Sequence, residues 1–194
     1  MATFIDLDSF WRDRETYPNE NDYELSSNKI HTWFRAPRTV RSSPQYTGFS
    51  PLEFSTTVNI RYMTLPYTDD LAELPRIYVN FRSKHYKDVH LITSIEGKQM
   101  DSKFICVPEK VQNDSNGDPL WIHYKCLMEQ AMRFNRGDPI VLQLTTRSGE
   151  VLPQQDSPPD QDPDPLKQSL ITFEVTPYLR DGDYNHHMSS PIVK

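Results

Sequence analysis

The chain has 194 residues and a net charge of −6, an acidic balance that gives no general reason to expect nucleic-acid binding. Sixteen prolines against six glycines argue against long helices and for strands joined by ordered loops. Cys106 and Cys126 are too few for a disulfide framework, and no apolar run approaches the roughly 20 residues that cross a bilayer.

The first residues, MATFIDLDS, lack the basic start and apolar run of a signal peptide. The expectation is a reducing, cytosol-like compartment, two reduced thiols and no membrane insertion. Residues 4–25 gather seven acids (Asp6, Asp8, Asp13, Glu15, Glu20, Asp22, Glu24) with Arg12, Arg14 and aromatics such as Phe10, Trp11, Tyr17 and Tyr23. Residues 29–41 reverse the sign with Lys29, Arg35, Arg38 and Arg41, and carry Trp33 and Phe34. Aromatics at this density are costly to leave in water, so residues 1–45 are expected to form an extended N-terminal arm that lies against something.

From residue 54 the pattern becomes β. Residues 54–66 place Val58, Ile60, Tyr62 and Thr64 on one face by alternation, and Pro66 stops the run. Residues 67–74 form an acidic loop with room for a short helical turn. Residues 76–83 alternate with Ile77, Val79 and Phe81 on one face. Strands are expected over 89–95 and over 103–111, with Pro108 marking an edge or a bulge. The NDSNGDP stretch, 113–119, is the strongest turn signal in the chain. Residues 120–127 alternate as a strand; a bend or short helix follows, and then 132–134. After a second turn at 135–139, residues 140–146 form a strand with Ile140, Leu142 and Leu144 on one face. Residues 153–165 hold five prolines and four aspartates without an apolar anchor, and are expected to be an exposed acidic loop. Residues 168–179 return as a strand with Ile171, Phe173 and Val175 on one face, and 180–194 form a polar tail.

This makes about seven or eight strands without αβ alternation. The fold class expected is all-β: an antiparallel two-sheet sandwich over 46–179, with jelly-roll rather than immunoglobulin connectivity.

Catalytic chemistry is sparse. Asp6 and Asp8 could share a hard cation, but salt bridges to Arg12, Arg14 or a partner are the more ordinary use of a bare D-x-D. The six histidines are scattered and suggest no metal cage. Both cysteines lie in apolar strands, the setting of an inert thiol. There is no Gly-rich phosphate loop and no hydrolase or zincin motif. No enzyme activity and no cofactor are expected.

The first 25 residues read I-D-L-D-S-x-x-R-D-x-x-x-Y-P-N-x-x-D-Y-x-L, from Ile5 through Arg12-Asp13, Tyr17-Pro18-Asn19 and Asp22-Tyr23 to Leu25. This resembles a segment near the start of virion proteins of large nucleocytoplasmic double-stranded DNA viruses, among them single jelly-roll minor capsid and penton proteins. Beyond it, the order of features is similar: a strand ending in Leu65-Pro66-Tyr67, then the strand 77–81. The resemblance implies a non-enzymatic capsid component located in the virion and assembled in the host cytoplasm. Its implied partners are the major capsid protein and other minor capsid proteins, with a homopentamer at the vertex or an inner lattice as its setting. On this reading Trp11, Tyr17 and Trp33 anchor in partner pockets, and Arg12, Arg14, Arg35 and Arg38 form interface ion pairs. The alternatives are a β-sandwich module that binds carbohydrate or a host protein through loops 113–119 and 153–165, and, less favoured, a jelly-roll metalloenzyme.

Overall fold

The computed structural model describes residues 3–25, 53–84, 91–92, 99–100, 104–135 and 139–177. The protein is all-β. Eleven strands are described: β1 Thr3–Asp8, β2 Asp22–Leu25, β3 Glu53–Pro66, β4 Ile77–Ser83, β5 Leu91–Ile92, β6 Gln99–Met100, β7 Phe104–Asn113, β8 Pro119–Cys126, β9 Glu129–Asn135, β10 Ile140–Thr145 and β11 Leu170–Pro177. Nine of them form one sheet in the order β1-β11-β3-β8-β7-β4-β10-β2, with β9 also on β3; β5 and β6 pair separately.

The pairing has a simple rule. With β5, β6 and β9 set aside, eight strands remain, and each pairs antiparallel with its mirror image in chain order. The first strand, β1, meets the last, β11; β2 meets β10; β3 meets β8; and β4 meets β7. The chain is thus a long hairpin doubled back on itself and rolled up. The roll is tight. In a flat sheet β4 and β11 would lie four strand spacings apart, about 19 Å. Instead Phe81 of β4 stacks on Phe173 of β11 with ring centroids 4.2 Å apart. Phe104 of β7 closes on the same ring at 6.2 Å. These rings, with Ile77, Val79, Leu142, Leu144, Ile171 and Val175, form the buried core.

Alternation predicts the apolar faces of β4, β10 and β11 correctly. In β4 the opposite face is covered as well, with Tyr78 and Asn80 buried; the strand lies between β7 and β10. In β3 the expected face holds only at first. Val58 and Ile60 are buried, but Tyr62 is exposed, and Met63 and Leu65 take over the core side. The cause is a bulge: Phe173 faces Ile60 while Thr172 faces Tyr62, so Arg61 is the extra residue. One inserted residue moves every later side chain to the other face. The stretch after Cys126 is a bend and not a helix, because β9 resumes at once on the same strand, β3. The acidic loop after β3 does hold a short helix, Asp69–Glu73, capped by the Thr68 hydroxyl, which accepts from the Leu71 N–H at 3.2 Å.

Beyond the end of β4, residues 108–113 of β7 pair only with β8, and the exposed stretch 108–119 forms this arm and the turn that leads into β8. Pro108 falls where β7 has passed the end of β4, with a register shift beside it, so its missing N–H costs no ladder bond there. The hairpin tip is fixed by Asp114, whose Oδ1 accepts from the N–H of Asn116 at 2.8 Å and of Asp118 at 3.0 Å. Gly117 completes the turn at φ +92°, where a Cβ would meet no neighbour but strain its own backbone. Gly117→Ala is therefore expected to lower stability by about 1 kcal/mol, read as a reduced urea midpoint with an unchanged slope.

The N-terminal residues depart most from expectation. Residues 3–25 are not an extended arm. They supply β1 and β2, the strands at the two ends of the sheet path. The expected segments 29–41 and 180–194 lie outside the described residues.

Candidate functional site

Between β1 and β2 the chain must cross from one end of the sheet to the other. It does so around one guanidinium. Asp8 at the end of β1 accepts from the Phe10 N–H at 2.9 Å and starts a single 3-10 turn, Ser9–Trp11. The turn directs Arg12 inward, where its side chain is fully buried. All five of its N–H donors find acceptors. Nε donates to Tyr17 O at 2.9 Å. Nη1 donates to Ser9 O and Gln168 Oε1, both at 2.8 Å. Nη2 donates to Pro18 O at 2.6 Å and to Asp156 Oδ2 at 2.8 Å.

Asp156 is the counter-ion, and its side chain is also fully buried. Its Oδ1 accepts from the N–H of Ser157 at 2.8 Å and of Asp164 at 3.0 Å. Arg14 Nε stands 3.2 Å from Asp156 Oδ2, while its Nη atoms donate to the carbonyls of Ser157, Pro158 and Gln161. Glu20 binds the loop from the other side: its carboxylate accepts from the Gln155 N–H at 2.6 Å and the Asp156 N–H at 3.4 Å. Asn19 and Asn21 donate to the carbonyls of Leu152 and Pro153. Ser9 is tied to both Gln168 and Ser169.

The expected exposed loop at 153–165 is found, with 158–162 exposed throughout, but Asp156 within it is buried. The loop does lack an apolar anchor, but buried polar groups of the N-terminal stretch order it. These bonds also revise the roles expected of Arg12 and Arg14: their hydrogen bonds run within the chain, and Arg12 has no surface to offer a partner. Trp11 is different, being 76% exposed and edge-on to Phe10 with centroids 5.0 Å apart. Tyr17 is half-buried against the core. Trp33, Arg35 and Arg38 lie outside the described residues. Asp6 and Asp8 do not share a site: Asp6 accepts from the Thr172 hydroxyl at 2.8 Å, and Asp8 caps the 3-10 turn. Among the described residues, no three of His, Cys, Asp and Glu gather where they could hold a metal ion, and no helix is long and apolar enough to cross a membrane.

The two buried carboxyls titrate in opposite senses. For Asp156, burial acts upward, but hydrogen bonds from Gln168, Arg12 and the Asp164 and Ser157 N–H groups outweigh it and hold the pKa below its ordinary 3.8. For Glu20, burial dominates and raises the pKa, against hydrogen bonds from backbone N–H groups and the charge of Arg12. A depressed acid contributes stability that is present above its unfolded pKa and lost as pH falls through the folded one. A raised acid does the reverse, and Glu20 favours the fold in acid. The stability gap between the native chain and Asp156→Asn should therefore be wide at neutral pH and close as pH falls below about 4. Urea midpoints measured across that range check it; a gap that does not change with pH would refute the assignment.

The fold and this buried junction define an all-β protein whose two outermost strands are joined by a polar clasp. No protein-family model matches the sequence, and no curated protein matches it.

Proposed function

We propose that the chain is a structural subunit of the icosahedral capsid of a large double-stranded DNA virus, a single jelly roll that acts through protein–protein contacts at the vertex. The observation that carries this reading is the strand order. Divided at the β7–β8 hairpin, the sheet path gives two four-stranded halves, β1-β11-β3-β8 and β7-β4-β10-β2. Mirror-image pairing of eight strands is what a rolled hairpin with two Greek keys produces, and it supports a two-sheet jelly roll. The resemblance of residues 5–25 to virion proteins supports the same assignment.

The surface agrees with a role in assembly. Trp11, Phe4 and Leu166 are large apolar side chains left open to solvent. Trp11 suits an anchor in a neighbour's pocket, since aromatic side chains dominate interface energetics. The partners on this reading are copies of the chain, the major capsid protein and other minor capsid proteins, in the virion.

Sedimentation and negative-stain images of the full-length chain test the proposal. Five-fold rings are expected, and Trp11→Ala should weaken them while leaving the melting temperature unchanged. A strict monomer at every concentration, alone and with the shell protein, would overturn it. The exposed 108–119 hairpin favours one other reading, a binding module. That reading predicts saturable binding of a glycan or host protein by the monomer, lost on changing the hairpin tip.

A further inference from the structure

Cys106 and Cys126 occupy directly opposed positions on β7 and β8. The Leu127 N–H donates to Ile105 O at 2.9 Å, one residue to either side of the pair. A bond in that place makes Cys106 and Cys126 a non-hydrogen-bonded pair, whose Cα atoms lie about 4.5 Å apart with side chains on one face. That separation falls at the short end of the range a disulfide spans. Both thiols are free. We propose that they form a reversible cross-strand disulfide, and that this pair is an oxidation site of the protein.

The two sulfurs have different roles. Cys106 is fully buried. Cys126 is partly exposed and lines an open cleft of about 510 Å³ with Arg61, Lys110 and Lys125. Cys126 is also the more acidic thiol: the neighbouring Cys106 thiol and backbone N–H groups favour its thiolate, against burial, and as a thiol it donates to Met128 O at 3.2 Å. The hydrogen bond to Cys126 and burial push Cys106 up. Cys126 is therefore the sulfur that meets an oxidant; with Arg61 paired to Glu174 and Glu109 also in the lining, Lys110 and Lys125 leave the cleft a small cationic excess for an anionic one.

The oxidant is a low-molecular-weight disulfide of the glutathione class. The Cys126 thiolate attacks one of its sulfurs, forming a mixed disulfide and expelling one thiol. Cys106 then gives up its proton and attacks Cys126 Sγ, expelling the second thiol. The protein loses two hydrogens, and the small disulfide is reduced to two thiols. Cys106 needs no solvent access, because its attack is intramolecular. Cys126 Sγ stays partly exposed, so a small thiol can reach the bond and reduce it again, as befits a switch and not a permanent staple. Once formed, the bond would lock the hairpin that joins the two halves of the sheet.

The test is to incubate the native full-length chain with oxidised glutathione, then unfold, alkylate and map it by mass spectrometry. The expected result is an intramolecular 106–126 link, with both thiols protected and then restored by dithiothreitol. In Cys106→Ser a glutathione adduct should accumulate on residue 126; in Cys126→Ser residue 106 should remain unmodified. Two alkylatable thiols after oxidation of the native chain, or a link only between chains, would overturn the proposal. So would a Cys126→Ser variant whose Cys106 takes up glutathione as fast as the native chain reacts.

Discussion

Asp156→Ala is expected to destabilise the protein by about 3–5 kcal/mol, the usual cost of removing one partner from a buried ion pair. The magnitude follows from what is left behind. Arg12 would keep its charge with no exposure to water. Arg14 would lose the same carboxylate at 3.2 Å. The N–H groups of Ser157 and Asp164 would lose their acceptor. Alanine thus removes one charge and leaves several groups unsatisfied at once. Urea denaturation at neutral pH measures the effect. The double variant Arg12→Met with Asp156→Leu should recover part of the loss, because no charge then remains buried and unpaired. It should not recover all of it, since the carbonyls of Ser9, Tyr17 and Pro18 also accept from Arg12. A loss below about 1 kcal/mol for Asp156→Ala would place the pair among surface ion pairs and contradict the buried clasp.

Deletion of residues 1–25 has the larger consequence. It removes Ile5, Leu7 and Tyr23 from the core, at about 2 kcal/mol for each buried side chain. It also strips Asp156 of Arg12 and exposes the flanks of β11 and β10 as unpaired edges. Together these losses are comparable to the roughly 5–15 kcal/mol that holds a domain of this size folded. The truncated chain should therefore be insoluble or lack a cooperative unfolding transition, because open edges of this kind also invite aggregation. An assembly arm would behave differently: its deletion would leave a folded monomer that fails to assemble. Far-UV circular dichroism during thermal unfolding separates the two outcomes.

The difference between an arm and a clasp could not be read locally. Strands such as 140–145 and 170–177 announce themselves, because the residues that fix their burial are their own alternating neighbours. The 113–119 turn is equally local, since Asp114 and Gly117 act within it. Arg12 is not local. Its decisive partners, Asp156 and Gln168, lie more than 140 residues away in sequence. A charged aromatic run looks solvated until those partners are known. The loop at 153–165 has the same difficulty in reverse: a segment without apolar residues gains order from Arg12, Arg14 and Glu20, which no composition rule anticipates. In β3 the alternation itself misleads, because the extra residue Arg61 is visible only against the facing strand β11.

The same geometry narrows what the N-terminal stretch can contribute to assembly. Its arginines hold the fold together, so under the proposed capsid reading any contact with other subunits would fall to exposed aromatics such as Trp11. Affinity for neighbours and stability of the subunit are then separable: Trp11 variants should affect the first and Asp156 variants the second.

Native-state hydrogen exchange of the full-length chain tests the central claim most directly. If residues 3–25 are integral strands locked by the Arg12–Asp156 clasp, the hydrogen-bonded amides of β1 and β2 will exchange as slowly as those of β11 and β10, through the global unfolding event. Rapid exchange throughout residues 3–25, with β10 and β11 still protected, would contradict the clasp and restore the extended arm.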